Sequence, residues 1–334
     1  MDRRKMITAL ALVALSIGLL VWNLDEDKGR FFHNEGRIFG TVYHIQYEHT
    51  QDMHDTIIAC LEEVDNALSM FNTSSIISRI NRNEDIAANQ DFETVFIQAQ
   101  EVSRLSNGAF DITVAPLVNA WGFGFENQLD MTQEKTDSIR KTVGYEKVQL
   151  ENHHIVKQSK DVCLDASAIA KGYACDKVAE RLMRSGVKNL LVEIGGEVVA
   201  KGHNSKNARW TIGITKPIDD TSGQQQQLQD KIQTSDLCLA TSGNYRNFYY
   251  DGSQKRSHTI DPRTGYPVRH SLLSATVTAH SCMKADALAT ACMVLGDTAA
   301  LQMIDSIKDA ECYLIIAEND SLVVRTSTHW TLTE

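Results

Sequence analysis

Two-residue and 3.6-residue apolar periodicities follow one another along this chain in an irregular order, and that order narrows the possible folds more than any other feature. A strand pattern opens at Gly40 in GTVYHIQYEH. Helical spacing then runs from Asp52 to Phe71 through Ile57, Ile58, Leu61, Val64 and Leu68, and a second helix is predicted over Phe92 to Ser106, before a glycine turn at Gly108. Strand-like runs recur at Val162 to Asp165, Leu190 to Ile194, Val198 to Ala200, Trp210 to Ile214, Leu237 to Ala240, Leu273 to Ala279, Tyr313 to Ala317 and Ser321 to Thr326. Helices fit Ile169 to Ser185, Lys284 to Leu295 and Thr298 to Lys308. A strict strand-helix-strand alternation would build a doubly wound parallel sheet. The mixed order predicts instead an α+β fold of largely antiparallel sheet with packed helices.

The first 22 residues stand apart. Arg3, Arg4 and Lys5 precede an uncharged run from Met6 to Trp22, the pattern of an export signal or a membrane anchor. The following NLDED offers no small-x-small cleavage site and no cysteine to accept a lipid, so an uncleaved anchor with its basic end in the cytoplasm is preferred. Residues 23–36 are polar and charged and read as a linker, and the glutamine tract at 224–227 as an exposed loop. The 334 residues suffice for one large domain or two closely joined ones. With 33 Lys and Arg against 43 Asp and Glu the net charge is −10, which excludes the basic stripe of a nucleic-acid binder. An acidic chain that handles phosphates needs metal ions or local backbone donors. Seven scattered cysteines, with no CxxC pair, read as small buried hydrophobes rather than a metal site or disulfide framework.

Chemistry-bearing residues gather in a few segments. SHTIDPRTGYP (257–267) combines turn formers Asp261, Pro262 and Gly265 with His258, which is either a general base or a satisfied loop histidine. In KADALATACMVLG (284–296), Asp286 and Thr290 lie four apart, one helical turn. That spacing suits two hard oxygen ligands for Mg²⁺, or a dipole-favoured Asp with a Thr that bonds its own backbone. DASAIAKGYACD (165–176) is a strand end and small-residue turn from which Lys171 and Gly172 open a helix; it either lets a ligand approach or is a tight connection capped by Ser167. NGAFDITVAPLVNAWGFG (107–124) supplies ring surfaces and the polar Asp111 and Thr113, for a flat ligand or for the core. EIGGE (193–197) reads as a tight glycine turn or, as the alternative, a close backbone approach to a ligand.

Taken in order, these segments, with GTVYHI, LSMFNTSSIISRIN, EIGGEVVAKG and ATSGNYRNFY, resemble the flavin transferase family ApbE, FAD:protein FMN transferase, from Gly40 to about Gly296. The resemblance implies one catalytic domain over 37–334. It also implies a Mg²⁺-dependent enzyme that cleaves FAD at its pyrophosphate, transfers FMN to a threonine of an acceptor protein and releases AMP. By similarity Mg²⁺ lies between Asp286, Thr290 and the carbonyl of Ala168; Ala289 stands where some relatives carry a second aspartate, which leaves one or two metal ions open. FAD is expected against Phe39, Met70, Phe71, Ala109, Phe110, Asp111, Asp165, Lys171 and the backbone of Thr259 and Ile260, with His258 as base. Hydrolysis of FAD to FMN and AMP, or FAD binding without chemistry, are the alternatives. The expected acceptors are flavoprotein subunits of membrane redox complexes. The expected location is the bacterial inner membrane, with the catalytic domain on the periplasmic side.

Overall fold

One eight-stranded sheet carries the molecule, and every strand pair among the described residues is antiparallel. The computed structural model describes residues 29–124, 129–218, 227–244, 248–251, 254–319 and 321–331. Strands β1 (Arg30–Ile38) and β2 (Thr41–His49) lead into helices α1 (His54–Leu68), α2 (Ile76–Asn81), α3 (Gln90–Leu105), α4 (Ala115–Ala120) and α5 (Gln133–Arg140). A small hairpin, β3 (Val148–Glu151) and β4 (His154–Lys157), precedes α6 (Ala170–Arg184). Then come β5 (Leu190–Ile194), β6 (Glu197–Lys201), β7 (Trp210–Thr215), β8 (Leu228–Thr234) and β9 (Asp236–Gly243). The hairpins β10 (Phe248–Asp251) with β11 (Gln254–Ser257) and β12 (Ile260–Asp261) with β13 (Tyr266–Pro267) are followed by β14 (Leu272–Thr278), α7 (Cys282–Leu295), α8 (Asp297–Asp305), β15 (Glu311–Glu318) and β16 (Ser321–Thr326). The large sheet is ordered β1-β2-β5-β6-β9-β14-β15-β16.

Alternation along these strands divides their side chains between two cores. On one face Ile45, Val192, Val199, Val277 and Leu314 join the main core beneath α1, α3, α6 and α7. On the other, Val198, Ala200, Leu239 and Ile315 pack under the β7–β8 hairpin around Trp210 and Ile212. A third, small cluster of Leu117, Trp121, Val143 and Ile260 ties α4 to the β12–β13 hairpin.

Three differences from the sequence reading have physical causes. Residues 30–36, read as part of a linker, lie in β1, which pairs with β2 along its whole length; their polar side chains mark a sheet edge. Val162 to Asp165 is not a strand, because its backbone groups are satisfied singly. Leu164 exchanges hydrogen bonds with the Asn81 side chain at 2.8 and 2.9 Å, and Asp165 N–H donates to the Ile112 carbonyl. The β3–β4 hairpin was not expected, since its strands are only four residues long and too short to show a clear period. The anchor or signal over 1–22 and residues 224–226 of the glutamine tract lie outside the described residues. Among the described residues no helix is long and apolar enough to cross a membrane. None of the seven cysteines is in a disulfide, and all but the half-buried Cys163 are buried.

Candidate active site

α7 is buried on all sides, with Cys282 to Ala289 and Ala291 to Val294 all inaccessible. A helix of this kind needs apolar residues around its whole circumference. A carboxylate at its centre costs several kcal/mol unless other groups compensate it. Asp286 is that carboxylate, 2% exposed. Its Oδ2 accepts the Gly172 N–H at 3.0 Å and lies 3.8 Å from Lys171 Nζ. Both partners come from the first turn of α6. A Cβ on Gly172 would sit 2.4 Å from the Cys282 carbonyl oxygen and 2.8 Å from Asp286 Cβ, so only glycine lets the two helices approach this closely. Asp176, one turn further along α6, accepts the N–H groups of Cys282 and Met283 at 2.9 and 2.8 Å and fixes the start of α7 against α6.

The Gly172 bond to Asp286 also shapes the approach to α6. In a continuing helix that N–H would bond the Ala168 carbonyl. Turned toward Asp286 instead, it leaves the Ala168 carbonyl with no hydrogen-bond donor among the described residues. Ser167 caps nothing; it is held in a turn by its N–H to Asp165 Oδ1 at 2.8 Å.

A cavity of about 550 Å³ opens above this junction, within the range of small-molecule sites. Ala168, Asp286 and Thr290 line it together. Thr290 Oγ1 also lies 3.3 Å from Ser242 Oγ on β9. The flanking residues Asp165 and Lys171 share that wall. Met70 and Phe71 follow the end of α1, and Phe71 is 75% exposed at the rim. Phe39 reaches the cavity from the two-residue β1–β2 turn, where Phe39 and Gly40 have φ of 51° and 74°. Both central φ values are positive, as in a type I′ turn. A bulky side chain is a rare occupant of that region.

Further lining comes from residues 109–111 and from the residues that lead into β12. Ala109 and Phe110 line the cavity, buried. Asp111 lines it too, but its carboxylate is engaged by protein: it accepts Thr113 N–H and Oγ1–H at 2.8 and 2.7 Å and Tyr145 N–H at 2.7 Å. Burial pushes its pKa up to about 6 even so. His258, Thr259 and Ile260 complete the lining. The His258 ring meets Phe123 edge-on at 6.4 Å, and Thr259 Oγ1 donates to Asn244 Oδ1 at 2.6 Å. Their placement rests on the turn beyond them. Asp261 accepts Arg263 N–H and the Arg263 guanidinium, all at 2.9 Å; Gly265 adopts φ 82°, and its carbonyl accepts the Trp121 indole N–H at 2.8 Å.

One residue of this site carried no functional signal in the sequence. Glu197, read within a glycine turn, is 3% exposed at the start of β6 and lines the same cavity. Its Oε1 is 3.3 Å from Lys171 Nζ, while its Oε2 is buried without a hydrogen-bond partner. Two buried carboxyls therefore share one ammonium. Burial pushes the pKa values of both Asp286 and Glu197 up, against the pull of Lys171. Burial opposes charge on Lys171 as well, but Asp286 and Glu197 outweigh it and hold the ammonium above its ordinary pKa. The floor of the cavity is short of positive charge and rich in hard oxygen donors, which fits a divalent cation such as Mg²⁺. Among the described residues no three His, Cys, Asp or Glu side chains are gathered for a metal, so such an ion would draw on carbonyl, hydroxyl and ligand oxygens.

Residues 39–314 match the model of the ApbE family. The FAD:protein FMN transferase of Haemophilus influenzae is 33% identical, over 97% of this chain and 96% of its own. That of Vibrio cholerae is 37% identical, over 88% and 90%. Among solved structures, the flavin transferase ApbE from Vibrio cholerae superposes with a TM-score of 0.81 at 35% identity, covering 90% of this chain and 98% of its own. The apo flavinyl transferase ApbE of Pseudomonas stutzeri gives 0.80 at 28% identity, over 90% and 96%.

Proposed function

The chain belongs to the ApbE family, and on that premise we propose that it is a Mg²⁺-dependent FAD:protein FMN transferase that joins FMN to a threonine hydroxyl of an acceptor protein and releases AMP. Membership and the names of its relatives carry the coarse reading, an enzyme that transfers flavin. The finer reading is supported by one observation: the Ala168 carbonyl, Asp286, Thr290, Lys171 and His258 border a single cavity, with aromatic rings at its mouth.

The acceptor hydroxyl attacks the phosphorus of the FMN half, a P–O bond forms, and the P–O bond to AMP breaks. A threonine hydroxyl is a poor nucleophile until its proton is accepted, and His258 is the group at the cavity wall suited to accept it. Ala168, Asp286 and Thr290 would hold the cation, which would neutralise pyrophosphate charge when bound. Lys171 adds a fixed positive charge on the same side. Phe39 and Phe71 offer ring faces for the flavin or adenine. The basic residues Arg3 to Lys5 before the uncharged run Met6 to Trp22 support tethering at the inner membrane, body outside the cytoplasm, beside flavoprotein subunits of membrane redox complexes.

Incubation of the chain with FAD, Mg²⁺ and a threonine-bearing acceptor should yield acceptor heavier by FMN, with free AMP. Free FMN with unmodified acceptor would identify a hydrolase, and intact FAD a carrier. EDTA should abolish transfer, and His258→Ala should abolish it while FAD still binds. Undiminished transfer by that variant would remove His258 from the reaction.

A further inference from the structure

Glu197 is a costly residue where it stands. An unpartnered buried carboxylate oxygen loses its hydration without return, and Oε2 of Glu197 is such an atom. Gly195 stands beside it at φ 65°, where a Cβ would meet Thr41 at 2.9 Å and Oε2 only at the 3.4 Å of ordinary contact. A glutamine could fill the same space at lower electrostatic cost, so the charge calls for a function.

The geometry around Lys171 supplies one. Its ammonium is 3.3 Å from Glu197, donates to the Ser167 carbonyl at 3.4 Å and is 3.8 Å from Asp286, so of the two carboxylates it leans toward Glu197. If Glu197 did not hold it, the ammonium would close on Asp286 and compete with a divalent cation for the same carboxylate. We infer that Glu197 is a positioning residue: it draws Lys171 off Asp286 and thereby keeps the Asp286 carboxylate available to a cation. This role rests on the proposed cation site and goes beyond it, because it assigns Glu197 no contact with the ion. Lys171, pinned on the cavity side by Glu197, is also left facing the phosphates of a nucleotide.

Mn²⁺ binding to the full chain without flavin, followed by calorimetry or electron paramagnetic resonance, tests this without relying on turnover. Glu197→Gln should weaken Mn²⁺ by about 10- to 100-fold, the usual effect of a residue that orients a ligand from outside the coordination shell. Lys171→Met should bind at least as tightly as the wild type. In that background the Glu197→Gln effect should shrink to a few-fold. Equal losses in both backgrounds would mean that Glu197 ligates the ion or acts only through its charge, and would overturn the role. Glu197→Asp provides a second reading should Lys171→Met fail to fold. It keeps the charge but retracts it, so Lys171 drifts toward Asp286 and Mn²⁺ binding should weaken; unchanged affinity would overturn the positioning account. Absence of Mn²⁺ binding by the wild-type chain would remove the cation site and this role with it. Binding by the wild type with Glu197→Gln unaffected would remove the role alone.

Discussion

Replacing Gly172 with alanine adds one methyl group at the tightest point of the molecule. The new Cβ would lie 2.4 Å from the Cys282 carbonyl oxygen and 2.7 Å from its carbon, where ordinary contact begins at 3.4 Å. The obstacle is backbone, and Asp176 clamps it through the N–H groups of Cys282 and Met283. The first turn of α7 must therefore move about 1 Å away from α6. Overpacking of this kind costs about 1–3 kcal/mol. Stretching the Gly172 N–H bond to the Asp286 carboxylate costs roughly 1.5–3 kcal/mol. Better helix propensity returns about 1 kcal/mol. The net loss is about 1.5–5 kcal/mol. With roughly 300 folded residues and about 2.1 cal/mol/K of unfolding entropy each, the melting temperature should fall by roughly 2–8 °C. Asp286 and Thr290 ride on α7 while Ala168 and Lys171 belong to the approach and first turn of α6, so the same displacement should weaken Mn²⁺ binding. Calorimetric melting and Mn²⁺ titration of wild type and variant measure both effects. A melting temperature within about 1 °C of wild type together with unchanged Mn²⁺ affinity would refute the claim that glycine at 172 sets the spacing on which the site depends.

Two further outcomes are expected. Burial raises Asp111 and Asp176 to about 6 from the usual 3.8, so the folded chain binds protons more tightly than the unfolded one. Their contribution to stability is complete below about pH 4 and lost as pH rises through about 6, and denaturant titrations of wild type and Asp176→Asn across this range should show a shallower decline in the variant, which is less stable throughout because an amide cannot accept both N–H groups. Phe39→Asn should relieve the positive φ at 39 but lose the packing of the ring, so stability should move by less than about 1 kcal/mol while FAD affinity, measured by flavin fluorescence, falls several-fold to about tenfold.

Where local pattern and tertiary demand coincide, sequence patterning recovers the structure. The apolar faces of α1 and α3, the alternation in β5 and β7 and the spacing of Asp286 and Thr290 on α7 all meet their expectation within three residues at the ends. One segment that failed draws its hydrogen bonds from far along the chain. Val162 to Asp165 has the composition of a strand, yet its partners are the side chain of Asn81 and the carbonyl of Ile112. Linker-like residues 30–36 became an edge strand because β2 offers them a complete ladder on one side while water covers the other.

Glu197 and Gly172 were illegible for the same reason. Each reads plainly in its own neighbourhood, as part of a turn and as the opening of a helix, and acquires its meaning only against α7, more than eighty residues away in sequence. What they create there is a deficit. Asp286 and Glu197 are drawn into the protein with one ammonium between them, and the resulting rise in both carboxyl pKa values is the cost of assembling a negative floor before any ligand arrives. On the proposed reading, a cation that enters removes that cost, and its affinity includes the relief. The excess of acid in this chain is then no obstacle to handling a pyrophosphate, because at the one place where phosphates must lie the buried carboxylates recruit the positive charge that the sequence as a whole lacks.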